Sequence, residues 1–534
     1  MTLSSLLDCD RSPDGYSSSE EEQLQRVDIG KDSVLAVGPK TLLILTAKSL
    51  SSLACLPPFG HGAFMRCQHL LYGANRITDE NAKKKDSRSC CSPYWCSGKL
   101  QRLSIPYFNV LWADVSHEYI TIKYAESTSN DDVSVASVYY PVDPAHKSKT
   151  KQWLEELMNA AYGKAQREKK VKVLINPFGG KGRAQKLYSR EVEPVFAAAQ
   201  CEVDVEITTH QGHAVEIAQN IDLQAYDVIA PASGDGVAYE VFNGLGKRAD
   251  AGEALRSLAV AHIPCGSGNA MSWNLYGTGS PSMAALCIVK GLRTPLDLVS
   301  ITQGDRRTLS FLSQSFGIIA ESDLGTDHIR WMGSARFTYG FLVRLFGKTV
   351  YPCDLAVKVE IGDKDDIKDH YRAGLEQKSS HSPRGSKSET VGLPPLRHGT
   401  VADPLPDDWE LITHDKMGNF YAGNMGYMAP DANFFPTALP NDGMLDLITI
   451  RGDISRLTAL QMLMAVENGT LFDMPEVHVQ KVSGYRIIPR EREDGYISID
   501  GEKVPFEPFQ AEVHKGLGTA ISKSGHRYQT PEIR

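Results

Sequence analysis

The chain has 534 residues, 42% of them hydrophobic and 23% charged, a balance that excludes a disordered or fibrous protein and fits ordinary globular material. At ~150 residues per domain, this length accommodates about three domains. With 57 Lys and Arg against 65 Asp and Glu, the formal net charge is −8, whereas a nucleic-acid binder carries a strong basic excess. Ten cysteines without dense, even spacing point to a reduced, cytosolic chain rather than a disulfide scaffold. The first 22 residues are Ser- and acid-rich with no apolar core of a secretory signal. No run of about 18 apolar residues occurs to span a bilayer. The expected location is the cytoplasm, peripheral on intracellular or plasma membranes.

Residues 1–26 read as a disordered acidic tail. Apolar β-rich runs follow at 34–37 and 41–46, then at 100–105, 108–112, 119–124 and 133–140. A helix over 148–162 closes the series, with Trp153, Leu157 and Ala161 repeating every four residues and Ser148 as its expected N-cap. Several strands and one terminal helix resemble a pleckstrin-homology-like barrel, so 27–165 is expected to form such a membrane or regulatory domain. Inside it, three lysines at 83–85 precede Cys90, Cys91 and Cys96, with Tyr94 and Trp95 between them. Three readings stay open for this segment: an S-acylated interfacial anchor, a zinc site using Cys67 and His69 nearby, or an exposed loop.

From 168 to 295 the pattern is strand, glycine turn, helix, three times over. The strand at 171–175 runs into Asn176, Pro177, Phe178, Gly179, Gly180, Lys181 and Gly182. The strand at 226–230 leads to Ser233, Gly234, Asp235 and Gly236, then to a helix over 237–245 that carries Glu240. A third, 257–263, enters Gly266, Ser267, Gly268 and Asn269, followed by a helix with Met271 and Trp273. Between the first two lie an alternating strand at 201–207, Thr209, His213 and a helix over 212–220, for which Thr209 is a possible cap. In an open parallel sheet such turns gather at the carboxyl ends of the strands. Three nests of backbone N–H groups beside Lys181 and Arg183 suit a polyphosphate. Gly182 stands where a P-loop needs Ser or Thr, and the spaced glycines of a dinucleotide-binding turn are absent. Alone, Ser-Gly-Asp-Gly reads equally well as a plain strand–helix turn.

After 296 the period changes to two, as in an antiparallel β domain, here expected over 296–520. Strands at 296–302 and 308–319 lead to a charged segment holding Asp323, Asp327, Arg330 and Arg336, which by itself could be a solvated helix face. A low-complexity, Pro-rich stretch at 363–408 reads as a disordered insert. Strands resume at 420–425, a helix covers 456–469, and strands at 485–489 and 496–500 end in the turn Asp500-Gly501-Glu502.

The order N-P-x-G-G-K-G, S-G-D-G-x-x-x-E-V-x-N-G-L and P-x-G-S-G-N resembles the diacylglycerol kinase catalytic family, and within it the sphingoid long-chain-base kinases. The resemblance spans about residues 168–515. It implies ATP-dependent phosphorylation of a lipid's primary hydroxyl, with ATP and Mg2+ as cofactors and peripheral membrane association. It further implies an α/β nucleotide-binding domain with a parallel sheet, plus an antiparallel β-rich lipid-binding domain. Carried onto this chain, Asp235 is the general base, backed by Glu240. The three glycine turns, Thr209, His213, Arg330, Arg336 and the closing Asp500-Gly501-Glu502 turn bind nucleotide. Asp323 meets the lipid's amine, and Asp327 with it is expected to bind the lipid substrate. Ceramide, diacylglycerol or NAD as substrate, and a non-catalytic binding regulator, are the alternatives. Asp323 favours a free-amine base, because a neutral glyceride offers a buried carboxylate nothing to pair with.

Overall fold

The computed structural model describes residues 25–28, 33–38, 40–47, 100–129, 131–142, 147–179, 182–325, 340, 350–376, 392–491, 493–531 and 533. The Cys90, Cys91 and Cys96 segment, Gly180, Lys181, Asp327, Arg330 and Arg336 lie outside the described residues, as does most of the expected N-terminal tail. Two compact units divide the chain: one comprises Met1–Tyr107, Asp114–Thr121 and Tyr139–Leu157, the other Phe108–Ala113, Ile122–Val138 and Met158–Arg534. The stretch 27–165, expected as one domain, is therefore shared between them.

In the first unit, Gln25–Asp28, Ser33–Val37, Thr41–Ala47 and Leu100–Pro106 pair antiparallel in chain order. Leu35, Ala36, Leu42, Ile44 and Ile105 are buried, and in Thr41–Ala47 the buried Leu42 and Ile44 alternate with half-buried Thr41 and Leu43, as in a sheet with one face covered. The closing helix runs Lys147–Tyr162, so Ser148 falls inside its first turn rather than at the cap, while Trp153, Leu157 and Ala161 are buried as their spacing requires.

The second unit is built on a 16-stranded sheet. One end is parallel: Glu202–Ile207, Lys170–Ile175, Val228–Ser233, then Ala259–Val260 and Ile263–Pro264. Strand Val228–Ser233 is buried at every position, the signature of a parallel strand with both faces covered. Helix Asp235–Gly246 buries Val237, Ala238, Val241, Phe242 and Leu245, the spacing of one helical face. It crosses helix His213–Asn220 so closely that a Cβ on Gly244 would lie 2.5 Å from the Val215 carbonyl oxygen.

The long strand Phe509–Ser522 joins the two halves. It runs parallel to Ala259–Val260 through Val260 and Ala520, and antiparallel to both Leu292–Gln303 and Val477–Pro489. The boundary expected at 295/296 falls within Leu292–Gln303, so the α/β and antiparallel regions share one hydrogen-bonded sheet. The antiparallel part closes over a core that includes Phe316, Phe420, Leu447, Tyr485 and Phe509. The Phe420 and Tyr485 rings lie 4.9 Å apart, and the Tyr485 hydroxyl donates to Gln314 Oε1 at 2.9 Å.

The expected disordered insert at 363–408 needs correction. It opens with helix Lys364–Glu376, which buries Ile367 and Tyr371 four residues apart. Residues 392–408 are pinned through their backbone. The buried Glu512 carboxylate accepts the N–H groups of Arg397 and His398 at 3.0 Å, and Arg486 donates to the Thr400 and Asp403 carbonyls. The flanks escaped the sequence pattern because these partners are distant in sequence; the low-complexity, Ser-rich stretch 377–391 lies outside the described residues.

Candidate active site

The three glycine turns meet at the carboxyl ends of the parallel strands. In the first, Asn176 Oδ1 accepts the Phe178 N–H at 2.9 Å and closes the turn after Lys170–Ile175. Gly182 donates to the Gly179 carbonyl at 3.0 Å with φ +71°, a left-handed conformation that suits glycine. Asn176 Nδ2 reaches Ser233 Oγ at 3.4 Å, tying the first turn to the second.

The second and third turns touch backbone to backbone. A Cβ on Gly266 would lie 2.4 Å from Gly234 Cα, and one on Gly234 would lie 3.1 Å from the Gly268 carbonyl oxygen. Glycine is required at 266 because only a hydrogen fits that approach. Asn269 closes its own turn, accepting the Gly266 N–H and donating to the Gly266 carbonyl, both at 3.0 Å. Ser267 is exposed on the same turn.

Asp235 begins the helix Asp235–Gly246, and its side chain is 12% exposed. Its carboxylate accepts the N–H groups of Ala270 and Met271, each at 2.9 Å. These are the first donors of helix Ala270–Tyr276, which the carboxylate therefore caps. The base candidate is thus oriented by the element that follows the third turn, and each oxygen keeps a second lone pair.

Glu240 does not back Asp235. It accepts the N–H groups of Gly212 at 2.9 Å and Ala214 at 3.1 Å, holding the start of helix His213–Asn220. Gly212, at φ +86°, occupies the N-cap of that helix. Thr209 consequently is no cap; its N–H donates to His213 Nδ1 at 3.2 Å. The two residues form a bonded pair tied by Glu240 to the Asp235 helix.

The Asp500-Gly501-Glu502 turn joins Ile497–Ile499 to Glu502–Val504. Asp500 and Gly501 have φ +52° and +83°, the two positive angles that select Asp-Gly in a tight hairpin. Asp500 takes a different task from the nucleotide contact expected of it. Its buried carboxylate accepts Ser310 Oγ–H at 2.6 Å and the N–H groups of Phe311, Leu312 and Ser313 at 2.8, 3.0 and 2.9 Å. Burial pushes its pKa up to about 6 against the opposing pull of those donors. With its oxygens committed to the 310–313 turn, Asp500 fixes the hairpin, and Glu502 is the residue presented to the glycine turns: a Cβ on Gly236 would lie 3.2 Å from Glu502 Oε1.

Asp323 is half-buried on helix Ile318–Leu324, whose Ile319 N–H donates to Asn419 Oδ1 at 3.2 Å on strand Met417–Gly423. Its charge and that of Asp500 act on the buried Tyr421 hydroxyl, which burial holds above the ordinary phenol range. Among the described residues, no group of three or more His, Cys, Asp or Glu is arranged to hold a metal ion. One residue near the site carries no sequence motif. His262 lies in a buried run between Val260 and Ile263, directly behind Asp235. A histidine in an otherwise apolar strand was the only available signal.

Residues 170–301 match the Diacylglycerol kinase catalytic domain, and 413–518 match the YegS C-terminal NAD kinase beta sandwich-like domain. Residues 70–163 match a domain of unknown function (DUF7493). The chain is 36% identical over 444 residues to Sphingoid long chain base kinase 4 of Schizosaccharomyces pombe, covering 82% of this chain and 91% of that protein. The chain belongs to the sphingoid long-chain-base kinase family. It is also 35% identical over 459 residues to Sphingoid long chain base kinase 5 of Saccharomyces cerevisiae, covering 74% of this chain and 66% of that protein. Sphingosine kinase 1 of Arabidopsis thaliana is 30% identical over 380 residues, 67% of this chain and 76% of that protein. Membership of this kinase family carries ATP use with it, in keeping with three glycine turns pressed together beside a fixed carboxylate.

Proposed function

We propose that this kinase transfers the γ-phosphoryl group of ATP to the primary hydroxyl of a sphingoid long-chain base, giving the 1-phosphate, at a membrane surface. The observation that carries this reading is the meeting of the glycine turns around Asp235, with Glu502 against Gly236. Phosphoryl transfer asks for positioning and for groups that offset phosphate charge. Backbone N–H groups of the second and third turns supply the second need, and the Asp235 carboxylate takes the hydroxyl proton as the oxygen attacks phosphorus and ADP departs. Mg2+ would enter with ATP, held mainly by phosphates and water, with Glu502 as its protein carboxylate. It would screen the phosphate charge.

Substrate identity rests on Asp323. A protonated amine leaving water needs a carboxylate, and removing one partner of such a buried pair costs about 3–5 kcal/mol. Asp323→Asn keeps shape and hydrogen bonding but removes the charge. Its KM for a sphingoid base should rise steeply while the KM for ATP stays near wild type. Assays on sphinganine and on diacylglycerol decide the matter: equal loss on both lipids would withdraw the sphingoid-base assignment and leave a lipid kinase.

Peripheral membrane association belongs to the same reading, since no helix of the described residues is long and apolar enough to cross a bilayer. Helix Arg456–Glu467 carries Leu457, Leu460 and Met464 on one face, exposed by 68%, 43% and 55%. Lys416 and Arg451 both pair with Asp453 just before this helix, two cations to one carboxylate. An apolar stripe beside positive charge complements an anionic bilayer. Changing all three apolar residues to Gln should cut co-sedimentation with phosphatidylserine vesicles about tenfold or more, with unchanged activity on detergent-dispersed lipid. Unchanged sedimentation, or a dimer lost in the variant, would assign the face elsewhere.

A further inference from the structure

His262 has no exposed surface. Its Nε2 lies 3.1 Å from the Ser233 carbonyl oxygen, which can only accept, so Nε2 carries the hydrogen. The backbone N–H of His262 donates to the Tyr276 hydroxyl at 3.2 Å. Nδ1 has no hydrogen-bond partner, although it is buried, and the Asp235 carboxylate oxygen Oδ1 stands 3.8 Å from it. A buried acceptor left unsatisfied is costly, and such a group calls for a reason.

We propose that His262 is a positioning residue for phosphoryl transfer, its Nδ1 lone pair set to accept a hydrogen bond from Asp235 once that carboxyl holds the lipid's hydroxyl proton. The inference rests on Asp235 as the base. While Asp235 is ionised, a lone pair faces a carboxylate and nothing bridges them. When the substrate O–H bond breaks and the O–P bond forms, Asp235 holds a proton that bridges to Nδ1 as the two groups close from 3.8 Å to about 3 Å, while the bond from phosphorus to the ADP oxygen breaks. After product leaves, the proton passes to solvent. The protonated state of Asp235 thereby gains an interaction that the ionised state lacks, which makes Asp235 a stronger base.

Burial favours the neutral ring that this role needs, with the Asp235 charge and the Ser233 carbonyl opposing it. Among the described residues, the groups that act on His262 are those two and Tyr276, whose phenol burial holds far above its ordinary range. No charged group other than Asp235 is among them.

His262→Leu removes the acceptor at similar bulk, whereas His262→Asn keeps an oxygen where Nδ1 stands. The leucine variant should lose about tenfold in kcat with little change in KM for ATP. The acid limb of its kcat–pH profile should move to lower pH, because a base that loses an acceptor for its protonated form has a lower pKa. The asparagine variant should recover most of both. If His262→Leu does not fold, as judged by its thermal melt, His262→Ser repeats the test, its hydroxyl being too short to reach Asp235. A wild-type kcat and acid limb in the acceptor-free variant would overturn the proposal while leaving the kinase reading intact. Equal impairment of the Asn and Leu variants would reduce His262 to packing. A fully active Asp235→Asn enzyme would overturn both readings.

Discussion

Asp235→Asn is expected to lower kcat by about 10²–10⁴-fold, the usual worth of a positioned general base, while ATP still binds. The substitution is gentle on the fold. The carboxylate accepts the Ala270 and Met271 N–H groups, and an asparagine oxygen still satisfies one of them. Leaving the other N–H without its acceptor costs about 1–3 kcal/mol, still below typical domain stability. Isothermal titration with a non-hydrolysable ATP analogue and a thermal melt separate the two effects. Retained nucleotide affinity with lost turnover places Asp235 in the proton transfer. Wild-type turnover would leave it only the task of capping helix Ala270–Tyr276.

Gly266→Val should be the most damaging single change to nucleotide binding. Even the first carbon of the new side chain would lie 2.4 Å from Gly234 Cα, 2.6 Å from Gly234 N and 3.0 Å from the Gly268 carbonyl oxygen. Those are backbone atoms, so relief requires the two turns to part, and each then aims its N–H groups elsewhere. Overpacking of this kind costs about 1–3 kcal/mol of stability, and ATP affinity should fall about 10–100-fold, or about 1.4–2.7 kcal/mol. Gly362→Ala is the control, since a Cβ there meets nothing nearer than Val359 Cγ1 at 3.8 Å. Equal ATP affinity in both variants would show that the contact between the turns is structural and does not shape the site.

The chemistry of this chain was legible where it depends on neighbours in sequence. Ser233-Gly234-Asp235-Gly236 announces a strand end and a helix start, and Asp500-Gly501 announces a hairpin, because turn geometry is a property of the residues in the turn. Three such glycine turns in a row, each behind a short apolar strand, are enough to place them on one side of a parallel sheet. The order of the motifs then names the family.

What the carboxylates do was decided by tertiary structure alone. Glu240 faces Gly212 and Ala214, not Asp235, because helix Asp235–Gly246 crosses helix His213–Asn220 at the Gly244 contact. Asp500 is consumed by donors at 310–313, nearly two hundred residues earlier in the chain, which leaves Glu502 toward the glycine turns. His262 reads in sequence as one polar residue in an apolar strand, and only the fold sets it behind Asp235. The same is true of the sheet itself. Strand Phe509–Ser522 returns from the end of the chain to pair with Ala259–Val260, Leu292–Gln303 and Val477–Pro489, merging two regions that their different periodicities had separated. Periodicity reports which face of a segment is covered, while the identity of the covering partner is set by packing across hundreds of residues.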